Sequence, residues 1–198
     1  MPGVKGSNRL HPGEIMKKIF IVLTVMLPAG TFAQLEVYDR YTTGGKHEPN
    51  INYFGSKPLS DRFSLTYFGL LELQWGEALV GASYAPARNL IVGLSAGIEH
   101  GSNSPRYSAS IWTGNKKTTF AALWELGAGK SNYLYKANLF YKYTDRCTVG
   151  VTAWRKHGIG PNFRYTLPVI KSTVWFMPAY DLDADKTRLI AGVTIPMQ

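Results

Sequence analysis

The residues of this chain that could do chemistry lie in short segments between apolar stretches. One segment holds Glu99 and His100 followed by Ser102 and Ser104, and it supplies an acid, a base and hydroxyl groups. His157 lies in another such segment. A hydrolase of the serine type needs its nucleophile and base within hydrogen-bonding reach. Serine and histidine beside glycine and proline are also ordinary turn residues, so the sequence favours a solvated loop over a catalytic site.

A third segment carries aspartates at alternate positions. Asp181, Asp183 and Asp185 have the spacing that opens a calcium-binding loop. That loop also requires glycine at its sixth position and glutamate at its twelfth, where this chain has Lys186 and Gly192. A solvated hairpin loop is the better interpretation, and the sequence predicts neither a metal ion nor a cofactor.

The elements between these segments are predicted to be β-strands. From Thr118 to Lys156, apolar residues recur at every second position, with short breaks at 129–132 and 144–146. A period of two is typical of strands, because successive side chains point to opposite faces. Each run has about ten residues, the length that crosses a bilayer as a tilted strand.

The strands have one apolar face and one polar face, which suits two all-β architectures. In a soluble sandwich the apolar face packs on a second sheet, whereas in an outer-membrane barrel it meets lipid and the polar face lines the lumen. We favour the barrel because the chain has no second set of apolar strand residues that could cover the aromatic side chains of the apolar face. A secreted soluble barrel that holds a small ligand is the alternative. The side chains expected to face outward are Phe120, Trp124, Tyr133, Tyr135, Tyr141 and Tyr143.

The alternation predicts about ten strands, within a range of eight to twelve, since bacterial single-chain barrels have even numbers. Residues 62–198 form the predicted barrel domain, and residues 34–61 are predicted to be an irregular segment because their alternation is weak. Connections after odd-numbered strands are mostly longer and richer in Gly, Ser, Pro or Asp, as expected of outer loops. We expect recognition of a small solute or protein partner at this outer rim. Its candidate residues are His100, Ser102, Ser104, His157, Asp181, Asp183 and Asp185.

The polar face of the strands carries charges of both signs. Charges inside a narrow barrel must be paired, because isolated ones are costly to desolvate. We expect a salt-bridge network that fills the lumen, and the alternative is a lining that selects permeating solutes. The pairs expected join Glu72 or Glu125 to Lys136, Lys142 or Arg188. The whole predicted network is Glu72, Glu77, Glu99, Glu125, Lys136, Lys142, Arg164 and Arg188.

The N-terminal region has the order of a secretory signal peptide. Lys17 and Lys18 precede the apolar run 19–27, and a small residue, Ala33, ends the segment. We therefore predict a signal peptide over residues 16–33 with cleavage after Ala33, and we interpret residues 1–15 as an upstream extension from a mis-assigned start.

The net charge of +9 comes from Lys and Arg residues scattered along the chain. A nucleic-acid-binding surface would cluster them, so nucleic acid is not a predicted partner. Anionic lipid headgroups and lipopolysaccharide are predicted partners instead. The single Cys147 cannot form an intramolecular disulfide.

With its signal and alternating strands, the chain resembles small outer-membrane β-barrel proteins of diderm bacteria, in the porin-like superfamily. The resemblance implies a closed antiparallel up-and-down transmembrane barrel in the outer membrane. The motifs themselves favour a protein without enzymatic activity. It implies a structural or interaction role with a largely filled lumen, or alternatively a small porin or ligand-transport barrel. An outer-membrane lipid hydrolase is the third, weaker alternative.

Overall fold

The computed structural model describes residues 32–100 and 105–197. The predicted extension 1–15 and all but the last two residues of the predicted signal peptide lie outside the described residues. Ser102 and Ser104 also lie outside them. Within the described ranges, no helix is long and apolar enough to cross a membrane.

The described residues form twelve antiparallel strands in one closed barrel. Each strand pairs with its neighbours in sequence, and β1 closes the barrel by pairing with β12. The strands are β1 (Phe32–Thr42), β2 (Lys46–Pro58), β3 (Phe63–Glu72), β4 (Gly76–Ala87), β5 (Leu90–His100), β6 (Arg106–Gly114), β7 (Thr118–Leu126), β8 (Tyr133–Lys142), β9 (Cys147–Trp154), β10 (Gly158–Thr166), β11 (Thr173–Asp181) and β12 (Lys186–Met197). The predicted closed antiparallel barrel is confirmed, at the upper limit of the expected strand number.

Ten strands were expected, and the two additional strands lie largely in residues 34–61. The prediction of an irregular segment there is wrong, because these residues belong to β1 and β2, which pair in register from Phe32 to Thr42. The sequence shows no clear alternation of apolar and polar residues here, because both faces of this hairpin are polar near its turn. Arg40 and Glu48 face inward as an ion pair, while Asp39 and His47 form an exposed pair on the outside.

The aromatic side chains of β7 and β8 that were predicted to face outward do so, whereas Phe140 on β8 lies on the inward face beside Arg164. Phe120, Trp124 and Tyr141 are each more than a third exposed. Trp124 stacks on Tyr133 and Tyr135 on the same outer surface, with ring centroids 5.4 and 6.1 Å apart. The barrel therefore presents an apolar exterior of the kind that meets lipid.

The connections between strands alternate between the two ends of the barrel. The end opposite Phe32 and Met197 holds the connections that follow odd-numbered strands, and we call it the loop end. The described residues of the predicted rim all belong to this end. The length difference between the ends is small, because 127–132 at the loop end and 167–172 at the other end are equally long.

Close backbone approach between β4 and β5 depends on glycine. A Cβ atom added at Gly81 would collide with the carbonyl oxygen of Leu94, and one added at Gly97 would collide with that of Ala78. Both glycines have inward parity. Their lack of a side chain lets this part of the sheet bend tightly, and it leaves this side of the lumen without bulk.

Candidate functional site

One side of the lumen is packed with large side chains, which we call the filled wall. Tyr38, Trp154, Trp175, Met177 and Ile190 all face inward and are at most 5% exposed. The ring of Tyr38 lies 5.4 Å from that of Trp154 and 5.6 Å from that of Trp175. This packing resembles a protein core, and it excludes water and solute from that side of the barrel.

His157 belongs to the filled wall rather than to the exposed rim. Its ring lies 3.6 Å from the ring of Trp154 at an angle of only 4°, and the residue is 2% exposed. Gly158, with φ at +107°, permits the tight turn that directs the histidine inward. Burial, followed by the neighbouring Arg40 guanidinium, holds the pKa of His157 well below its usual range. The rim role predicted for His157 is therefore corrected.

Ion pairs fix the loop end of the filled wall. Arg40 is 2.8 Å from Glu48, and Arg188 lies 2.7 Å from Asp181 and 3.6 Å from Glu48. Asp181 also accepts a hydrogen bond from the backbone N–H of Asp183. Asp181 was predicted at the exposed rim, but it is 2% exposed and stabilises its own turn.

The other rim residues that the structure describes, His100, Asp183 and Asp185, stay at the surface. Asp183 lies 3.5 Å from Arg155, and Asp185 accepts a hydrogen bond from the Tyr180 hydroxyl. His100, the last residue of β5, is exposed. Within the described part of the chain, no group of three or more His, Cys, Asp or Glu residues could hold a metal ion.

In the middle of the filled wall, Glu36 is the shared partner of two positively charged side chains. Lys136 and Arg164 each approach it to 3.9 Å, and Asn52 and Thr194 donate hydrogen bonds to it at 3.2 and 3.1 Å. Lys136 and Arg164 were both predicted in the lumen. Their shared partner was missed because Glu36 lies in the segment that was predicted to be irregular.

The opposite side of the lumen carries small side chains, and we call it the small-residue wall. In contrast to the buried residues of the filled wall, Ser110 is exposed and the other members are half-buried. They come from the inward positions of β4 to β7. The small-residue wall consists of Gly81, Ser83, Gly93, Ser95, Ser108, Ser110 and Ala121.

A cluster of charges closes the loop end of the small-residue wall. Arg106 lies among Glu77, Glu99 and Glu125, and all four side chains are at most 3% exposed. Arg106 donates to Glu99 at 2.7 Å and to Glu125 at 2.8 Å, and it also contacts Glu77. Asn132 bonds both Glu99 and Arg106. We call these four charged residues the Arg106 cluster.

The strand register explains why these residues meet. Glu77 on β4 lies directly opposite Glu99 on β5, and like charges in that position are destabilising without a cation. Glu125 is paired with Ser108, two residues from Arg106 on the same face of β6. Arg106 was not predicted as a site residue, although it lies two and four residues before Ser108 and Ser110 and therefore on the same polar face of the strand.

Two members of the predicted network take no part in these clusters. Lys142 pairs instead with Asp145 at 2.8 Å, and both side chains are largely exposed at the other end of the barrel. Glu72 is half-buried on the inward face of β3, and no ion pair among the described residues includes it. The expected pairs of Glu125 with Lys136, Lys142 or Arg188 do not form, since Glu125 binds Arg106.

Comparison with known proteins places this architecture among porins. The KdgM porin aligns with a TM-score of 0.57 and 16% identity, over 83% of this chain and 99% of that chain. The NanC porin aligns with a TM-score of 0.55 and 12% identity, over 82% and 100%. The toluene transporter TbuX of Ralstonia pickettii aligns with a TM-score of 0.50 and 7% identity, over 87% and 90%.

The chain matches no protein-family model and no curated protein sequence. At identities this low, the likeness to the solved structures is one of fold. The closed barrel, its apolar exterior and its charged lumen agree with that likeness. The chain has the fold of an outer-membrane porin.

Proposed function

We propose that this protein is a porin of the bacterial outer membrane that passes small polar solutes along the small-residue wall. The observation that carries the proposal is the asymmetry of the lumen. The filled wall excludes solute, whereas Ser110 lies on the inward face and is exposed, and its neighbours on β4 to β7 are half-buried. Any route through this barrel therefore follows the side that lacks bulky side chains.

The chemistry of the small-residue wall favours solutes rich in hydroxyl groups. Ser83, Ser95, Ser108 and Ser110 offer hydroxyl groups that can donate and accept hydrogen bonds. Such groups replace part of the hydration shell of a solute in a narrow passage. One solved KdgM porin is a complex with disordered oligogalacturonate, so neutral sugars and sugar acids are the first solutes to compare.

Conductance of the reconstituted barrel tests the proposal. Ser110→Trp places a bulky ring in the predicted route and should lower single-channel conductance and sugar entry into liposomes several-fold. Ala109→Trp is the matched control, because Ala109 is the adjacent residue with outward parity and is exposed. Equal effects of the two substitutions, or no effect of Ser110→Trp, would contradict a route along this wall.

A structural or interaction barrel without transport is the second candidate. The packed filled wall and the Arg106 cluster favour it, because both obstruct the lumen. The same recordings separate the candidates, since a wild-type barrel without conductance and without sugar uptake would support the structural role.

The loop end is the proposed outer side of the barrel, where lipopolysaccharide and a partner would be met. An impermeant thiol reagent on intact cells tests this orientation. Asp183→Cys, at the loop end, should be labelled, whereas Lys116→Cys, at the other end, should not. The parent protein, with only Cys147, provides the background. Labelling of Lys116→Cys alone would reverse the orientation.

The position of His157 does not fit the weaker alternative of a lipid hydrolase at the rim. A hydrolase site at the loop end would need a histidine positioned as a base beside a hydroxyl nucleophile. His157 instead contacts Tyr38, Arg40 and Trp154 inside the barrel.

A further inference from the structure

The Arg106 cluster has more negative than positive groups. One guanidinium faces three glutamates, and all four side chains are buried. Residues 101–104, between β5 and β6 in the sequence, are Gly-Ser-Asn-Ser and carry no charged side chain. Buried carboxylates in excess of the cation are costly to desolvate, so uptake of a further positive charge stabilises the cluster.

Two of the carboxyl groups are placed to take up that charge together. Glu77 and Glu125 both direct an Oε2 atom at the same Nε of Arg106, so the two carboxyl groups are neighbours. The buried Oε2 of Glu77 has no hydrogen-bond partner among the described residues. Two carboxylates cannot hydrogen-bond to each other unless one of them carries a proton, because an ionised carboxylate only accepts. Glu99 is occupied separately by the Arg106 guanidinium and the Asn132 amide.

On the described strands beside the cluster, the other inward charged groups are acidic or directed elsewhere, and Lys130 of the 127–132 connection is exposed. On β3 the inward charged group is Glu72, which is acidic. On β8 the inward Lys136 is directed to Glu36 and to the Trp154 ring, where its Nζ lies 3.7 Å from the ring centroid. Trp75 contributes a neutral ring 5.0 Å from the Arg106 guanidinium carbon.

We propose that Glu77 and Glu125 share one proton, and that loss of this proton to water at alkaline pH opens the loop-end mouth above the small-residue wall. With the proton present, Glu77 and Glu125 bond to each other and to Arg106. Without it, three carboxylates surround one guanidinium at close range, and their repulsion drives side chains out of the cluster. The conductance part of this inference rests on the proposed porin function.

Infrared spectroscopy of the folded barrel tests the shared proton without any need for conduction. In a detergent without ester groups, the wild-type protein at neutral pH should show the carbonyl band of a protonated, buried carboxyl group. Glu77→Gln should lack this band, because the glutamine amide can donate to Glu125 without an added proton. Glu125→Gln serves the same purpose if Glu77→Gln does not fold. No difference in this band between wild type and the variants would overturn the shared proton.

Single-channel recording tests the opening. Wild-type conductance should rise several-fold from neutral to alkaline pH, and Glu77→Gln should remove that rise. Glu48→Gln is the matched control, because Glu48 is also a loop-end glutamate that contacts arginine, and it should keep the rise. A pH dependence that survives in Glu77→Gln would overturn the opening. A barrel that conducts at no pH would contradict the porin function, while the infrared result would still decide the shared proton.

Discussion

The two walls of the lumen follow the same rule of alternation and differ in side-chain volume. On β9, β11 and β12 the inward positions hold residues such as Trp154, Trp175 and Ile190, which are at most 5% exposed. On β4 to β6 most middle inward positions hold glycine or serine, with Leu79, Ile91 and Trp112 as the larger inward residues, and Ser110 is exposed. Alternation therefore decides which side chains face the lumen, whereas their volume decides whether solute can enter.

The walls also differ in how their charges are balanced. At the loop end of the filled wall, Arg40 and Arg188 are matched by Glu48 and Asp181, whereas further along this wall Glu36 faces both Lys136 and Arg164. Above the small-residue wall, Arg106 alone faces three glutamates. We expect balanced pairs to stabilise the barrel over a wide pH range, while the unbalanced cluster responds to proton concentration.

The largest effect should follow from removing the cation of the unbalanced cluster. Arg106→Met leaves three buried carboxylates without a guanidinium, and the free energy of unfolding should fall by about 3–5 kcal/mol. Urea unfolding of the refolded barrel measures it. Lys142→Met is the control, because the exposed pair with Asp145 should contribute no more than about 1 kcal/mol. Similar losses in both variants would mean that the Arg106 cluster is not buried in the membrane-bound protein.

Removing bulk from the filled wall should make the two walls more alike. Trp154→Ala deletes a side chain from the packed layer, and we expect a loss of about 3 kcal/mol in unfolding free energy. Conductance should rise because the lumen widens. Trp124→Ala is the control, since Trp124 faces outward and is 47% exposed, and its conductance should match wild type. Unchanged conductance in Trp154→Ala would argue against the filled wall as the obstruction.

A smaller effect is expected from the buried histidine of the filled wall. The pKa of His157 is lowered by burial, so the folded barrel holds it neutral while the unfolded chain binds a proton below its ordinary pKa. Its contribution to stability is therefore complete above about pH 6.5 and decreases as pH falls below that value, by at most about 1.4 kcal/mol per pH unit. His157→Gln should reduce the loss of unfolding free energy as the pH falls, measured by urea unfolding at several acidic pH values.

The exposed His100 provides the control for that measurement. His100→Gln should leave the loss of unfolding free energy at acidic pH unchanged, because His100 is exposed at the end of β5. If both variants reduced that loss equally, it would come from overall charge rather than from the buried ring.

Several features of this barrel could be predicted from the sequence because they depend on local alternation. The outward position of Trp124 and Tyr141 and the inward position of Glu125 follow from parity alone. The hairpin of β1 and β2 could not be predicted in the same way, since Asp39 and His47 make its outer face polar. Such a strand is recognised only when its partners in the barrel supply its hydrogen bonds.

The sequence by itself determined that this protein is built of alternating strands with a charged inner face. Successive side chains of a strand point to opposite faces, so the face of each residue follows from the local sequence alone. Only the tertiary structure decided which charges meet, because the strand register and barrel closure set contacts between residues far apart in the chain. Glu125 was expected to pair with a lysine or with Arg188, yet Arg106 reaches it across one ladder. His157 similarly lies in a predicted loop, but the turn at Gly158 places its ring on Trp154 inside the barrel.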